Sequence, residues 1–411
     1  MLKTIRWPAW SFALLVLLPV GLAAQGFIYT NNDTALNSIS AYVFDINGLL
    51  QPVPSQPFLT GGNGSGGGFY SSNRIIVVKG PTNDFLYASN SGTSGEITTV
   101  SAFTIDSGTG YLTPVLGSPF STGAFNDSGR SGVSLAATPD GQFLYAGSTG
   151  ADLQSNVGSI AIFSIDPTTG ALTPTNKSPV AAGGPMSSMK VSSDGKYLVA
   201  ALPDFNSGSN SGAIAVFAIR GPGTPHEIHN SPYVLSSGPA TSVDFNCAGN
   251  LLYAGGNDHN IYVFNFASGR LSPVTGSPFS TVAASNGAVA LSTNDSTLFA
   301  SDPSSGIVTA FALGANGDLT GTETSADAAG STGISAYPGG LAVSNLGNLL
   351  FSADQNGDTS GDAGISIFNL PTSSAIVFTS RIDTVQATGF HSLTVYPPKA
   401  CTAAAGVVSG H

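Results

Sequence analysis

The stretch "TIDSGTGYLTPVLGSPF" (Thr104–Phe120) returns along the chain with the same order of turn and strand residues. A close copy is "SIDPTTGALTPTNKSPV" (Ser164–Val180), and a shortened copy is "NFASGRLSPVTGSPF" (Asn265–Phe279). Weaker copies are "FDINGLLQPVPSQPF" (Phe44–Phe58) and "ALGANGDLTGTETS" (Ala312–Ser325). Self-similarity of this kind indicates a repeat architecture in which each copy belongs to one supersecondary unit.

A second phrase, such as "FLYAS" at Phe85 or "FLYAG" at Phe143, recurs between these copies. Its equivalent positions lie 46 to 58 residues apart and are Tyr29, Tyr87, Tyr145, Val199, Tyr253, Phe299 and Phe351. One full unit reads "GVSLAATP", a Asp140–Gly141 hairpin, "QFLYAGS", a polar loop, "GSIAIFSID", a glycine turn and "ALTPTNKSPV". This unit predicts four antiparallel strands, which is the content of a propeller blade.

The two ends of the chain complement each other. The first unit begins at Phe27 without an innermost strand, and the C-terminus supplies an unpaired strand, "HSLTVYP" (His391–Pro397). Blade 1 is therefore expected to be closed by the C-terminal strand, which leaves no open sheet edge at the junction. We predict an all-β, seven-bladed β-propeller with four antiparallel strands per blade over residues 25–400, followed by a tail at 401–411.

The N-terminus and the composition indicate an exported protein. Residues 1–24 have a basic start and the apolar run "FALLVLLPVGLAA" and resemble a signal peptide, which is too short for a membrane span. The formal net charge of −11 disfavours nucleic acid and anionic membrane surfaces as partners. We expect a periplasmic or extracellular monomer whose partner, a small molecule or a protein, binds at the propeller mouth.

The two cysteines are expected to lie on one face of the propeller. Cys247 is at the first hairpin of blade 5, and Cys401 follows the closing strand at the equivalent position of blade 1. In an exported protein they are predicted to form a disulfide, with two unpaired thiols as the alternative.

These phrases resemble the seven-bladed lactonase-like propeller family, which includes bacterial 6-phosphogluconolactonases and carboxy-muconate cycloisomerases. The resemblance lies in "TPDGQFLYAG", "SSDGKYLVAA", "GSIAIFSIDPTTGALTP" and the closing strand, and it covers most of residues 26–397. It implies His and Arg residues beside the central channel, just before the inner strands. The matching phrases here read "PMSS" (185–188), "PATS" (239–242), "NGAV" (286–289) and "PGGL" (338–341), and only His391 lies in such a position.

Three functions follow from this comparison. The loss of the family's basic positions favours a binding or scaffold propeller, the main prediction, or a structural surface protein. The alternatives are a lactone hydrolase or cycloisomerase acting at the central channel, and a structural surface protein. The catalytic candidates are His391, Lys190 and Asp244. Since Lys190 and Asp244 occupy the same register in adjacent inner strands, they form either an ion pair that lines the channel or an acid/base pair.

Carboxylates recur after the second strands, on the side expected to be the ligand mouth. They are Asp33, Asp152, Asp204, Asp258, Asp302 and Asp354, and His259 follows Asp258. They are interpreted either as a ligand-binding mouth or as ordinary caps of turns. Asp354, Asn356 and Asp358 alternate as in a calcium loop, although Thr359 and Ile365 replace the expected Gly and Glu. No cofactor is expected, with Ca²⁺ as the alternative.

Overall fold

The computed structural model describes residues 24–64, 73–93, 95–125, 133–148, 158–203, 212–256, 258–283, 285–320, 324–328, 336–356, 363–371, 375–383 and 392–401. Regular structure in these residues is β-strand throughout, in seven antiparallel sheets. No described segment forms a helix that is long and apolar enough to cross a membrane. The seven antiparallel sheets confirm the predicted seven-bladed propeller.

The strands, numbered in chain order, form four layers from the channel outwards. The inner strands are β33 (Leu393–Tyr396), β5 (Ile75–Val78), β10 (Val133–Ala137), β15 (Ser188–Val191), β20 (Ala240–Phe245), β25 (Val289–Leu291) and β29 (Ala336–Val343). The second strands are β1 (Gly26–Asn31), β6 (Phe85–Asn90), β11 (Phe143–Ser148), β16 (Tyr197–Leu202), β21 (Leu251–Gly256), β26 (Thr297–Asp302) and β30 (Leu349–Asn356). The third strands are β2 (Ser38–Phe44), β7 (Ile97–Ile105), β12 (Ser159–Ile165), β17 (Ala213–Arg220), β22 (Asn260–Ala267), β27 (Ile307–Ala312) and β31 (Gly364–Asn369).

The outer strand is split into two named pieces in the first five blades, and one outer strand is described in each of the last two. Its pieces are β3 (Leu50–Pro52) with β4 (Phe58–Leu59), β8 (Leu112–Pro114) with β9 (Phe120–Phe125), β13 (Leu172–Pro174) with β14 (Val180–Ala181), β18 (Thr224–Glu227) with β19 (Tyr233–Val234), β23 (Arg270–Pro273) with β24 (Phe279–Ser280), β28 (Thr324–Asp327) and β32 (Val377–Asp383).

Each interruption contains a proline, which follows a serine in blades 2 to 5 and Gln56 in blade 1. Proline cannot donate to the sheet, so it is tolerated at an outer edge. In blade 3 the Ser178 hydroxyl accepts a hydrogen bond of 2.8 Å from the Ile162 amide of the third strand. Ser118 does the same for Ala102 in blade 2. A side chain therefore satisfies the backbone donor that faces the break.

Adjacent blades are held together by the two repeated phrases. The Tyr87 hydroxyl of blade 2 donates a hydrogen bond of 2.9 Å to the carbonyl of Gly170, in the outer hairpin of blade 3. The same bond is made by Tyr29 to Gly110, by Tyr145 to Gly223 and by Tyr253 to Gly317. Gly170 has a φ of 74°, and a Cβ on it would overlap the ring of Phe85. The hairpin glycine is thus required both by the turn and by the neighbouring blade.

The ring closes as the sequence predicts. Strand β33 pairs with β1, so the C-terminal strand completes blade 1. The seam between blades 7 and 1 is filled by a buried cluster in which the rings of Phe44 and Phe351 lie 5.0 Å apart. Cys247 of blade 5 and Cys401 form a disulfide with an S–S distance of 2.04 Å, the pairing expected from the sequence.

The Gly170→Ala substitution should destabilise the propeller far more than Gly221→Ala. Both glycines lie in outer hairpins at positive φ, but a Cβ at Gly221 meets nothing within 4 Å. Both variants carry the backbone cost, and only the first adds overlap with Phe85, worth about 1–3 kcal/mol. Urea unfolding checks this, and equal losses of unfolding free energy would contradict the proposed packing role.

Loss of the disulfide should lower stability markedly. The bridge closes a loop across a sequence separation of 154 residues. The chain-entropy account gives about 5 kcal/mol for a loop of this size. We therefore expect Cys401→Ser to lower the melting temperature, and denatured, unreduced wild type to show no free thiol. Titration of two thiols in the wild type would contradict the bridge.

Candidate functional site

The inner strands of the seven blades surround a central channel, with neighbouring inner strands in contact all around the ring. We call the end beside the first hairpins the base and the opposite end the mouth. Two adjoining cavities of about 290 and 480 Å³ lie towards the base and share Lys190 and Lys399 among their lining residues. Thr138 and Pro139, at the first hairpin of blade 3, line the larger cavity.

Lys190 and Asp244 meet in this channel. Lys190 lies on β15 and Asp244 on β20, each opposite the aromatic or Val position of the second strand. The Lys190 Nζ is 3.3 Å from Asp244 Oδ1, and the lysine side chain is 40% exposed while the aspartate is 13% exposed. The sequence-based expectation that adjacent blades bring these residues together agrees with the described geometry.

Asp244 is held as a carboxylate. Burial raises the pKa of its side chain, but Lys190, Lys399 and the Leu291 amide outweigh burial, so the pKa lies below its usual range. Asp244 Oδ2 accepts a hydrogen bond of 3.2 Å from the Leu291 amide on the next inner strand. An ionised carboxylate with a lowered pKa accepts hydrogen bonds well and is a weak general base.

Lys399, which the sequence did not single out, enters the channel from the C-terminal segment. Its Nζ donates a hydrogen bond of 2.9 Å to the Leu291 carbonyl. Burial lowers the pKa of Lys399 and Lys190 adds to this, while Asp244 and Asp295 partly offset it. Lys79 lines the larger cavity as well, so three of the six lysines in the chain contribute to its lining. Asp244 is the one acidic residue lining the described part of the two cavities.

Two of the predicted mouth carboxylates, Asp258 and Asp302, accept hydrogen bonds from nearby serine and asparagine residues. Asp258 accepts hydrogen bonds from Ser237 and Asn260, and the neighbouring His259 Nδ1 lies 2.7 Å from the Ala283 carbonyl. Asp302 accepts hydrogen bonds from the Ser285 hydroxyl and from the Ser304 and Ser305 amides. These contacts are of the kind that the turn-capping interpretation expects.

Other predicted residues lie outside the described part of the chain. They are Asp152, Asp204, Asp358 and His391, and for Asn356 only the backbone is described. Among the described residues, no group of three or more His, Cys, Asp or Glu side chains has an arrangement that could hold a metal ion. The ligand mouth, the catalytic role of His391 and the calcium alternative therefore stay predictions.

Two buried ion pairs were missed by the sequence reasoning. Arg74 directly precedes inner strand β5, and its guanidinium makes two hydrogen bonds of 2.9 Å to the Asp33 carboxylate of blade 1. Arg381 of β32 lies 3.6 Å from Asp354 in blade 7. A clue to the first was available, since Arg74 is a lone charge before an inner strand in a chain with few charges. The pairing itself needed the juxtaposition of two blades.

Asp354 is a buried acid whose pKa lies above its usual range. Burial raises its pKa to about 6, although hydrogen bonds from Ser352 and Ser366 and the charge of Arg381 act in the opposite direction. Its side chain is fully buried. This carboxyl holds blade 7 together at the mouth end of its second strand, by contacts with three strands.

Comparison with known proteins supports the lactonase-like resemblance. Residues 126–246 match a family model described as Lactonase, 7-bladed beta-propeller. This segment includes both Lys190 and Asp244. No curated protein matches the chain.

Solved structures share the whole fold. A putative 6-phosphogluconolactonase from Bacteroides fragilis superposes with a TM-score of 0.66 at 19% identity, covering 92% of this chain and 99% of that one. The periplasmic gluconolactonase of Pseudomonas aeruginosa gives a TM-score of 0.67 at 17% identity, with coverage of 92% and 99%. A putative 6-phosphogluconolactonase from Bacteroides uniformis gives 0.67 at 15% identity, with coverage of 90% and 98%. At these identities the likeness establishes the fold alone, a seven-bladed β-propeller.

Asp354 should make stability depend on pH. Its folded pKa of about 6 exceeds the ordinary value of 3.8, so its contribution is fully present below pH 4 and is lost as pH rises through 6. The unfolding free energy of wild type relative to Asp354→Asn should therefore be about 2 kcal/mol larger at pH 4.5 than at pH 7.5.

Asp166→Asn is the control for this measurement. Asp166 is exposed, and hydrogen bonds from Thr169 and Thr168 lower its pKa, so its contribution changes with pH in the opposite sense. Denaturant unfolding at pH 4.5 and pH 7.5 measures how the unfolding free energy of each variant, relative to wild type, changes with pH. If the difference in unfolding free energy between wild type and Asp354→Asn were the same at both pH values, the raised pKa would be contradicted.

Proposed function

We propose that this protein is exported and binds a small organic anion, such as a sugar acid, at the base of its central channel. The observation that carries the proposal is the convergence of Lys79, Lys190 and Lys399 on one cavity in a chain of net charge −11. Lysine ammonium groups bind carboxylate and phosphate oxygens as point charges. The apolar run of residues 12–24 and the disulfide support export.

The chemistry of the pair suggests how such a ligand is held. Lys190 is partly exposed in the channel and is available to an anionic group, while Asp244 accepts hydrogen bonds from ligand hydroxyls. The larger cavity, about 480 Å³, lies within the range of small-molecule sites. Binding is preferred over general-base catalysis because the lowered pKa of Asp244 makes this carboxylate a weak base.

Lactone hydrolysis or cycloisomerisation is the second candidate. The match to the lactonase model over residues 126–246 favours it, as this segment carries the Lys190–Asp244 pair. A sugar acid is also the product of sugar-lactone hydrolysis, so both candidates place related compounds in one channel.

Calorimetric titration with gluconate and 6-phosphogluconate tests the binding proposal, with glucose as the uncharged control. We expect both anions to bind, glucose not to bind, and affinity to fall as ionic strength rises. Lys190→Met should weaken anion binding at least tenfold, about 1.4 kcal/mol. Lys196→Met is the matched control, because Lys196 is an exposed lysine paired with Asp194 outside the channel.

Two results would overturn the binding proposal. One is the absence of binding by either anion at millimolar concentration, and the other is an equal effect of Lys190→Met and Lys196→Met. Hydrolysis of glucono-lactone above its spontaneous rate, abolished by Asp244→Asn, would replace binding by the enzymatic candidate. A pH-stat measures that rate directly.

A further inference from the structure

The segment Pro398–Cys401, which we call the strap, crosses the base of the channel. It follows β33 in blade 1 and ends at the disulfide with Cys247 in blade 5. Between these points Lys399 contacts the Leu291 carbonyl of blade 6. Pro398 and Lys399 line both cavities, and Ala400 lines the larger one. The strap is therefore a wall of the proposed site and the carrier of one of its three lysines.

The disulfide is the covalent tether that holds the strap, and with it Lys399, beside the channel. Placing an ammonium group in a partly buried position costs free energy, and solvent offers it full hydration. The strap itself has no strand pairing, since β33 ends at Tyr396. The disulfide holds the end of the strap against blade 5 and so maintains a high local concentration of Lys399 at the channel.

The disulfide is reachable from solvent. Cys401 is exposed and Cys247 is partly exposed. A dithiol is thus able to approach the bridge without unfolding the blades. The remaining closure of the ring, by β33 against β1 and by the apolar seam between blades 7 and 1, does not involve either sulfur.

We propose that the strap is a redox-released element that delivers Lys399 to the channel only while the Cys247–Cys401 disulfide is intact. In the exchange a dithiol thiolate attacks one sulfur, the S–S bond breaks, and a mixed disulfide forms. The second thiol of the reagent then displaces the remaining cysteine. The dithiol becomes a disulfide, and Cys247 and Cys401 each gain one electron and one proton as thiols. The effect on ligand affinity rests on the proposed function; the release of the strap does not.

Amine acylation followed by peptide mass spectrometry tests the release without any ligand. The folded protein is compared in its oxidised form and after reduction with dithiothreitol and alkylation, well below its melting temperature. We expect the acylation rate of Lys399 to rise at least tenfold on reduction, while that of exposed Lys196 stays constant. An unchanged rate at Lys399, or a disulfide that the dithiol does not reduce in the folded protein, would overturn the proposal.

The Lys399→Met variant distinguishes loss of affinity through release of Lys399 from loss of affinity through a general loosening of the propeller. It keeps the disulfide and lacks only the ammonium group. Reduction should weaken gluconate binding at least fivefold in wild type and leave the already weakened variant unchanged. Circular dichroism verifies that the reduced protein keeps its strands. Affinity that does not respond to reduction, despite a released Lys399, would refute its role in the site. If no anion binds even the oxidised protein, the proposed function fails. The acylation experiment still tests whether reduction releases the strap.

Discussion

The hydrogen bond from a second-strand tyrosine to a hairpin glycine of the next blade is the contact on which the ring depends. A buried phenol must find a partner for its hydroxyl, and the Tyr87–Gly170 bond supplies one across the blade boundary. The same glycine leaves room for the neighbouring Phe85 ring. Blades 2, 3, 4 and 6 are thus each positioned by the preceding blade at two points, and this explains why the two sequence phrases recur together. In blade 4, where Val199 has no hydroxyl, Tyr197 still packs on the glycine of blade 5.

This stacking of blades determines what the channel contains. Inner strands in equivalent register present equivalent positions to the axis, so Lys190 and Asp244 become neighbours without being close in sequence. The buried clusters lie between adjacent blades rather than at the axis, which leaves the channel free for polar side chains. Three groups of charged side chains lie near the ends of the channel. These are the two buried arginine pairs towards the mouth and the lysine cluster at the base.

The parts of the site that sequence reasoning found are those that follow from register. Lys190 and Asp244 stand out because other blades have uncharged residues at the same position. Lys79 and Lys399 do not, because neither lies within an inner strand: one follows β5 and the other follows β33. Arg74 also lies just outside an inner strand, since it precedes β5. Its partner Asp33 belongs to the preceding blade, so the sequence does not reveal the pair. Residues just beyond strand ends carry no periodic signal, so their partners become visible only in three dimensions.

The sequence by itself determined the blade unit, the number of blades, the closing strand and the face shared by the two cysteines. These follow from local patterns of turns and alternating side chains that are repeated along the chain, and repetition makes each copy evidence for the others. The tertiary structure alone decided that Lys79 and Lys399, which are 320 positions apart, line one cavity with Lys190. That meeting depends on closing the ring and anchoring the strap by the disulfide, because contacts between distant segments arise from the path of the whole chain.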